Sequence, residues 1–328
     1  MAKSDPPIPG VDVLAVRAMS RPIRLDNINC PYCGVRLTPS NRTKEHVIGR
    51  RFVPKGRLER EWNLILWACG PCNNRKADLE DDLSAISMMP DSGGKFALED
   101  ETLIADAKRK AKNSISRRTG KRVEDSAETI SIATEIIPGV QLSVNLVCAP
   151  QASDDRLFQL ARLQVMAFFF AITYDNQAHV GRFWGEGFYP LLQAKRADWG
   201  NGVHVGFMNA VIDWDPRIIG TSADQHFRIA IRKHRSEDCW SWALEWNRQY
   251  RLVGFFGNRT AAEMACADFR RLESRTIYQN GEDWIRIRNE VPLIRNSDLM
   301  FCYKSEDAAD DDLDCAGETI TEIPDERG

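Results

Sequence analysis

Cys30-Pro31-Tyr32-Cys33 and Cys69-Gly70-Pro71-Cys72-Asn73-Asn74-Arg75-Lys76 bracket two shorter runs, Lys44-Glu45-His46-Val47-Ile48 and Asn63-Leu64. Each Cys-x-x-Cys forms a knuckle whose two sulfurs point at one metal. Two knuckles supply the four thiolates of a closed, tetrahedral zinc site. Gly34, directly after Cys33, suits the tight turn that follows the first knuckle. Such a site is structural and contributes about 10–16 kcal/mol to folding. The 35 residues between the pairs exceed the insert of a simple zinc ribbon, and they hold Glu45, His46 and Asn63. Pro71 suits the first turn of a helix, which would carry Asn73 and Lys76 on one face. Cys69–Cys72 is also the tetrapeptide of a thioredoxin-type redox motif. A redox pair requires neither a second Cys-x-x-Cys nor the Asn and Lys behind it, so zinc is the preferred reading.

Around this unit the chain reads as globular. It has 328 residues, 43% hydrophobic and 28% charged, enough for a substantial core and two domains. The most apolar stretch, Val165 to Thr173, is nine residues, well short of the roughly 20 that a spanning helix needs, so no membrane partner is expected. Met1-Ala2-Lys3-Ser4-Asp5-Pro6-Pro7 lacks the apolar core of a signal peptide, and a cytoplasmic location is expected. The five cysteines outside the pairs (Cys148, Cys239, Cys266, Cys302, Cys315) read as ordinary thiols in that compartment. Net charge is −3, but unevenly placed. Residues 1–76 hold 14 Lys/Arg against 6 Asp/Glu, whereas residues 305–328 hold ten Asp/Glu against Arg327. A basic head suggests a polyanion partner.

The organisation follows from pattern and punctuation. Residues 1–98 form the first unit, with a Pro-rich, loose lead-in over 1–22 and a core at 23–89. Pro90-Asp91-Ser92-Gly93-Gly94 is a break. Residues 99–125 are a basic linker, helical over 99–122; it either lies along a phosphate backbone or is simply solvated. Residues 126–304 form a second domain. Its expected elements are strands at Ile130–Ile137, Val140–Val147, Phe227–Lys233, Trp240–Trp246 and Tyr250–Phe256, and helices at Asp154–Tyr174 and Thr260–Arg275. Trp240, Trp242 and Trp246 share one strand face and read as core. Residues 305–328 read as an acidic, disordered tail. Strands and helices mix without a regular βαβ alternation, so the fold class is α+β.

The ordered set Cys30/Cys33, Glu45-His46, Asn63-Leu64, Cys69/Cys72, Asn73 and Lys76 resembles the HNH (ββα-metal) nuclease family. The resemblance covers residues 28–80; the last His of the family's name is Asn73 here. It implies a metal-dependent endonuclease with Zn²⁺ for structure and Mg²⁺ or Mn²⁺ for catalysis. His46 would be the general base, its neutral imidazole taking a proton from water. Glu45 and Asn73 would give the catalytic metal two oxygens. Glu45 can instead pair with Arg50 or Arg51, Asn73 can serve as a helix-start residue, and Asn74 or Asp78 can substitute for it. Asn63 would tie the loop after His46 by backbone hydrogen bonds, and Lys76 would touch phosphate or support the site. On a regular strand Glu45 and His46 point to opposite faces; the resemblance implies that a local turn brings them together. Arg50, Arg51, Lys55 and Arg57 are expected phosphate contacts in the intervening loop. The implied partner is a nucleic acid, double-stranded DNA first. A regulatory protein or ligand would act through residues 126–304, since such units often serve mobile elements or anti-phage defence. The competing expectation is a zinc-stapled nucleic-acid-binding module without catalysis.

Overall fold

The computed structural model describes residues 14–16, 22–91, 94–137, 140–184, 187–270, 272, 274–280, 283–304 and 313–315. In chain order its strands and helices are β1 (Leu14–Val16), β2 (Ile23–Arg24), β3 (Arg42–His46), β4 (Leu64–Cys69), α1 (Gly70–Ile86), α2 (Glu101–Asn113), β5 (Glu128–Ile137), β6 (Val140–Cys148) and α3 (Asp154–Ile172). They continue with β7 (Phe188–Lys195), α4 (Gly202–Val211), β8 (Asp215–Ser222), β9 (Phe227–Lys233), β10 (Cys239–Trp246), β11 (Tyr250–Gly257) and α5 (Arg259–Ala265). The last strands are β12 (Arg275–Asn280), β13 (Asp283–Ile287), β14 (Cys302–Lys304) and β15 (Leu313–Cys315). The class is α+β.

The first unit is a three-stranded sheet, ordered β2-β4-β3, with α1 packed on one face. Leu64, Leu66 and Ala68 of β4 point toward the main core and are buried at 1% exposure or less. Pro71 opens α1, and Leu79, Leu83 and Ile86 form its buried stripe. The second unit is built on a six-stranded sheet ordered β1-β8-β9-β10-β11-β7. Its three tryptophans Trp240, Trp242 and Trp246 are buried, as their spacing predicts. Phe207 and Met208 of α4 and Ala261 and Ala262 of α5 pack on the other side, in a separate core.

One core cluster runs through both units. Phe52 meets Trp246 edge-on at 5.3 Å, and Trp62 meets Phe168 of α3 at 6.2 Å. Trp62 Nε1 donates to the Thr221 carbonyl at 2.5 Å, and Ser222 Oγ donates to the Trp62 carbonyl at 2.6 Å. Gly220 permits this approach: a Cβ there would lie 2.8 Å from the Trp62 ring. Asn247, held at a positive φ of 52° in the β10–β11 turn, donates to the Phe52 carbonyl and to Ser87 Oγ. Arg156 of α3 pairs with Asp78 and the buried Asp82 of α1.

Several expectations change. The basic helix ends at Asn113, because Ser114 turns extended and the chain folds back with Ser116 N–H donating to the Lys121 carbonyl. The helix expected over 260–275 stops at Ala265, and Phe269 leaves it to pack on Gly206. The lead-in is not wholly loose, since Leu14–Val16 pairs in parallel with β8. The acidic tail is not wholly disordered either: residues 313–315 pair with β14, while the rest of 305–328 lies outside the described residues. Cys302 is disulfide-bonded rather than an ordinary thiol, and Cys315 stands opposite it in the β14–β15 ladder. No helix among the described residues is long and apolar enough to cross a membrane.

Candidate metal centre and the site around His46

The two knuckles meet as their spacing predicts. In the first, Gly34 adopts a φ of +74° and its N–H donates to the Cys30 carbonyl at 2.9 Å. In the second, Cys69 ends β4 and Cys72 lies in the first turn of α1. The sulfurs of Cys30, Cys33, Cys69 and Cys72 all lie within 4.8 Å of one another, and those of Cys33 and Cys69 are 3.6 Å apart. A tetrahedral zinc with bonds of about 2.3 Å sets its sulfurs slightly under ~4 Å apart, so the cluster fits a structural metal such as zinc. Burial pushes the Cys30 thiol up to about 11 and raises Cys72 as well. A coordinating dication reverses that order by holding the thiols deprotonated.

The strand after the first knuckle divides its side chains between two faces. Thr43 and Glu45 face α1: Asn73 Nδ2 donates to Thr43 Oγ1 at 3.0 Å, and Lys76 Nζ lies 2.9 Å from Glu45 Oε1. Lys44 and His46 therefore face the other way. β3 stays regular to its end, with Glu45 opposite Leu66 and His46 opposite Ile65. No local turn brings Glu45 and His46 together.

Beneath β3 sits a buried charge network. Lys76 is 1% exposed and bridges Glu45, Glu80 at 2.5 Å, and the His46 carbonyl at 3.1 Å. Tyr32 Oη donates to the same Glu45 Oε1 at 3.0 Å. Burial alone would discharge Lys76, but Glu80 and Glu45 outweigh it and hold its pKa above the ordinary lysine range. Burial likewise raises Glu80, against the pull of Lys76. Burial and Glu45 together raise Tyr32.

The loop that leaves His46 is held at each step. Val47 N–H donates to the Leu64 carbonyl at 2.9 Å. Asn63 accepts from Ile48 N–H at 3.1 Å and donates to the Ile48 carbonyl at 2.8 Å. Gly49 N–H bonds the Glu80 carboxylate, which occupies the place that a Cβ on Gly49 would take. The Gly49 carbonyl accepts from Phe52 N–H at 2.8 Å.

His46 itself is half-buried, and its Nε2 lies buried with no hydrogen-bond partner among the described residues. Burial first, then the charges of Arg50, Lys44, Lys76 and Arg24, lower its pKa to about 4. The imidazole is therefore neutral at pH 7. Of the expected phosphate contacts, Arg50, Arg51 and Lys55 are exposed, the Lys55 backbone N–H donating to Asp106, whereas Arg57 is tied to Asp100 and Asp224. Asp78 pairs with Arg117 and Arg156.

Sequence reasoning missed Tyr32, Thr43, Gly49 and Glu80. Only Glu80 carried a signal, since it stands four residues after Lys76 on a helix.

Two outcomes are expected. Purified protein should carry one zinc per chain by elemental analysis, and Cys30→Ser should lose both the metal and most of the folding stability; retention of either counts against the metal centre. Lys76→Met should destabilise by about 3–5 kcal/mol at pH 7 because it strands two buried carboxylates. In denaturant titrations that deficit should shrink as falling pH protonates Glu80, whose pKa burial already raises; a pH-independent deficit would show that packing, not charge, was lost. Comparison with known family models, curated proteins and solved structures finds no match, so the reading of this site rests on its own residues.

Proposed function

We propose that this chain is an HNH-type endonuclease that hydrolyses phosphodiester bonds, most readily in DNA. One observation carries the reading: a neutral imidazole with an unpartnered Nε2, in the positive field of Arg50, Lys44, Lys76 and Arg24. A neutral base among cations suits a substrate whose reacting centre is an anion. His46 takes the proton from an attacking water, while Lys44 and Arg50 bear the charge that develops on the phosphate oxygens. The cations also tune the base. A bound phosphate neutralises their field, so the imidazole becomes a stronger proton acceptor when substrate arrives.

The expected Mg²⁺ or Mn²⁺ does not fit as readily. A carboxylate and an amide oxygen are suitable donors, but Glu45 is 3% exposed and its Oε1 serves Lys76 and Tyr32. A hydrated Mg²⁺ keeps several waters and needs more room. No step is therefore assigned to that ion, and Lys76 supports the base through the His46 carbonyl rather than by touching phosphate. The same burial of Glu45 favours a second reading, a zinc-stapled nucleic-acid-binding module without catalysis.

Plasmid cleavage by the full chain, with and without Mg²⁺ or Mn²⁺, separates the two. Wild type should nick or cut, and His46→Ala should lower the rate by about 10²–10⁴-fold. A folded, zinc-loaded wild type that leaves plasmid intact under every condition points to a binding module or to a nuclease held off by residues 126–304. For the cleaving enzyme, kcat/KM reports the free protein, so its acid limb should fall at about pH 4: His46 loses its acceptor form only below its lowered pKa. A limb at about 6.5, the ordinary histidine value, would mean that the burial and the cations do not act on His46.

A further inference from the structure

The outer face of the β2-β4-β3 sheet is more basic than its sequence suggests. Arg24 and His46 both stand beside Ile65, on either side of β4, so the three side chains share one row of one face. Lys44 and Arg42 continue that face along β3, opposite Trp67 and Cys69. Arg24, Arg42 and Lys44 are exposed. Among the described residues neither Arg24 nor Lys44 forms an ion pair, and Arg42 lies over the Trp67 ring at 4.4 Å.

Several cations of the loop after β3, of α2 and of the segment after it are engaged within the fold. Arg57 joins Asp100 and Asp224, Arg109 joins Asp106, and Arg117 joins Asp78. Lys110 donates to the Arg51 carbonyl, and burial lowers its pKa to about 8. Arg57 and Lys110 pin α2 to the loop after β3, and Arg117 ties the segment after α2 to α1; these groups hold the fold together instead of facing a ligand.

We propose that the phosphate backbone of a nucleic acid lies across the sheet face formed by Arg24, Lys44 and Arg42, with His46 at its edge, and not along α2. The proposal rests on the reading of the partner as a nucleic acid, but not on hydrolysis. Residues two apart on a strand are about 7 Å from one another, a spacing comparable to that of neighbouring phosphates. Trp67 is half-buried, is covered by Arg42, and its Nε1 donates to Asp26 at 3.2 Å. Its ring is not offered to bases. The face therefore binds backbone charge without reading sequence.

The test is the salt dependence of binding to a short DNA duplex, followed by fluorescence anisotropy without added divalent ions. Each phosphate contact contributes about 0.9 to the slope of log K against log salt, so Arg24→Gln with Lys44→Gln should lower the slope by about two. Arg24 kept with Lys44→Arg should bind as wild type, which separates charge from folding. Lys108→Gln with Lys112→Gln, two exposed positions on α2, should retain the wild-type slope. The track is overturned if the sheet-face pair keeps the wild-type slope, or if the α2 pair alone loses it. Wild type that binds neither duplex DNA nor RNA at low salt overturns the track and the nucleic-acid reading together. Binding with the expected slope change but no cleavage supports the track and overturns only the hydrolase.

Discussion

A single desolvated ammonium ties the first unit together. Lys76 lies beneath β3 with two carboxylates and a backbone carbonyl around it, and each of those groups belongs to a different part of the site. Glu45 belongs to the strand, Glu80 to the helix and the His46 carbonyl to the start of the loop after β3. A charge removed from water has to be matched by close partners or it unfolds its surroundings. The match fixes how α1 sits on β3, and hence where Cys72, the fourth sulfur, meets the other three. The cysteine knuckles and the His46 loop are thus set by one another through this helix.

Much of this was legible in the residues. The cysteine spacing predicts the cluster, and Asn63 makes the loop-tying hydrogen bonds that its place in the motif implies. Strand alternation alone places Glu45 and His46 on opposite faces, and the folded strand obeys it. The strands Phe227–Lys233 and Tyr250–Phe256 were plain because they are aromatic, β-branched and free of proline.

What stayed hidden has physical causes. β7 and β8 contain Pro190 and Pro216, which argue against a strand; both sit beside register shifts that accommodate them. The engagement of Arg57 depends on Asp100 and Asp224, distant in sequence, so nothing local marks it as spoken for. The basic face of the sheet is equally non-local, since Arg24 comes beside His46 only through β4. Charge counting finds a basic head; only strand order says which cations share a face.

The shared core has a consequence for how this chain can be inherited. Trp62 and Phe52 are lodged against α3 and the large sheet, and Gly220 leaves the room that Trp62 occupies. A gene fragment encoding only the cysteine-knuckle unit would expose two large aromatic rings and forfeit the strap from Asn247. The unit is therefore not a portable cassette. Recombination would have to move it together with its host sheet.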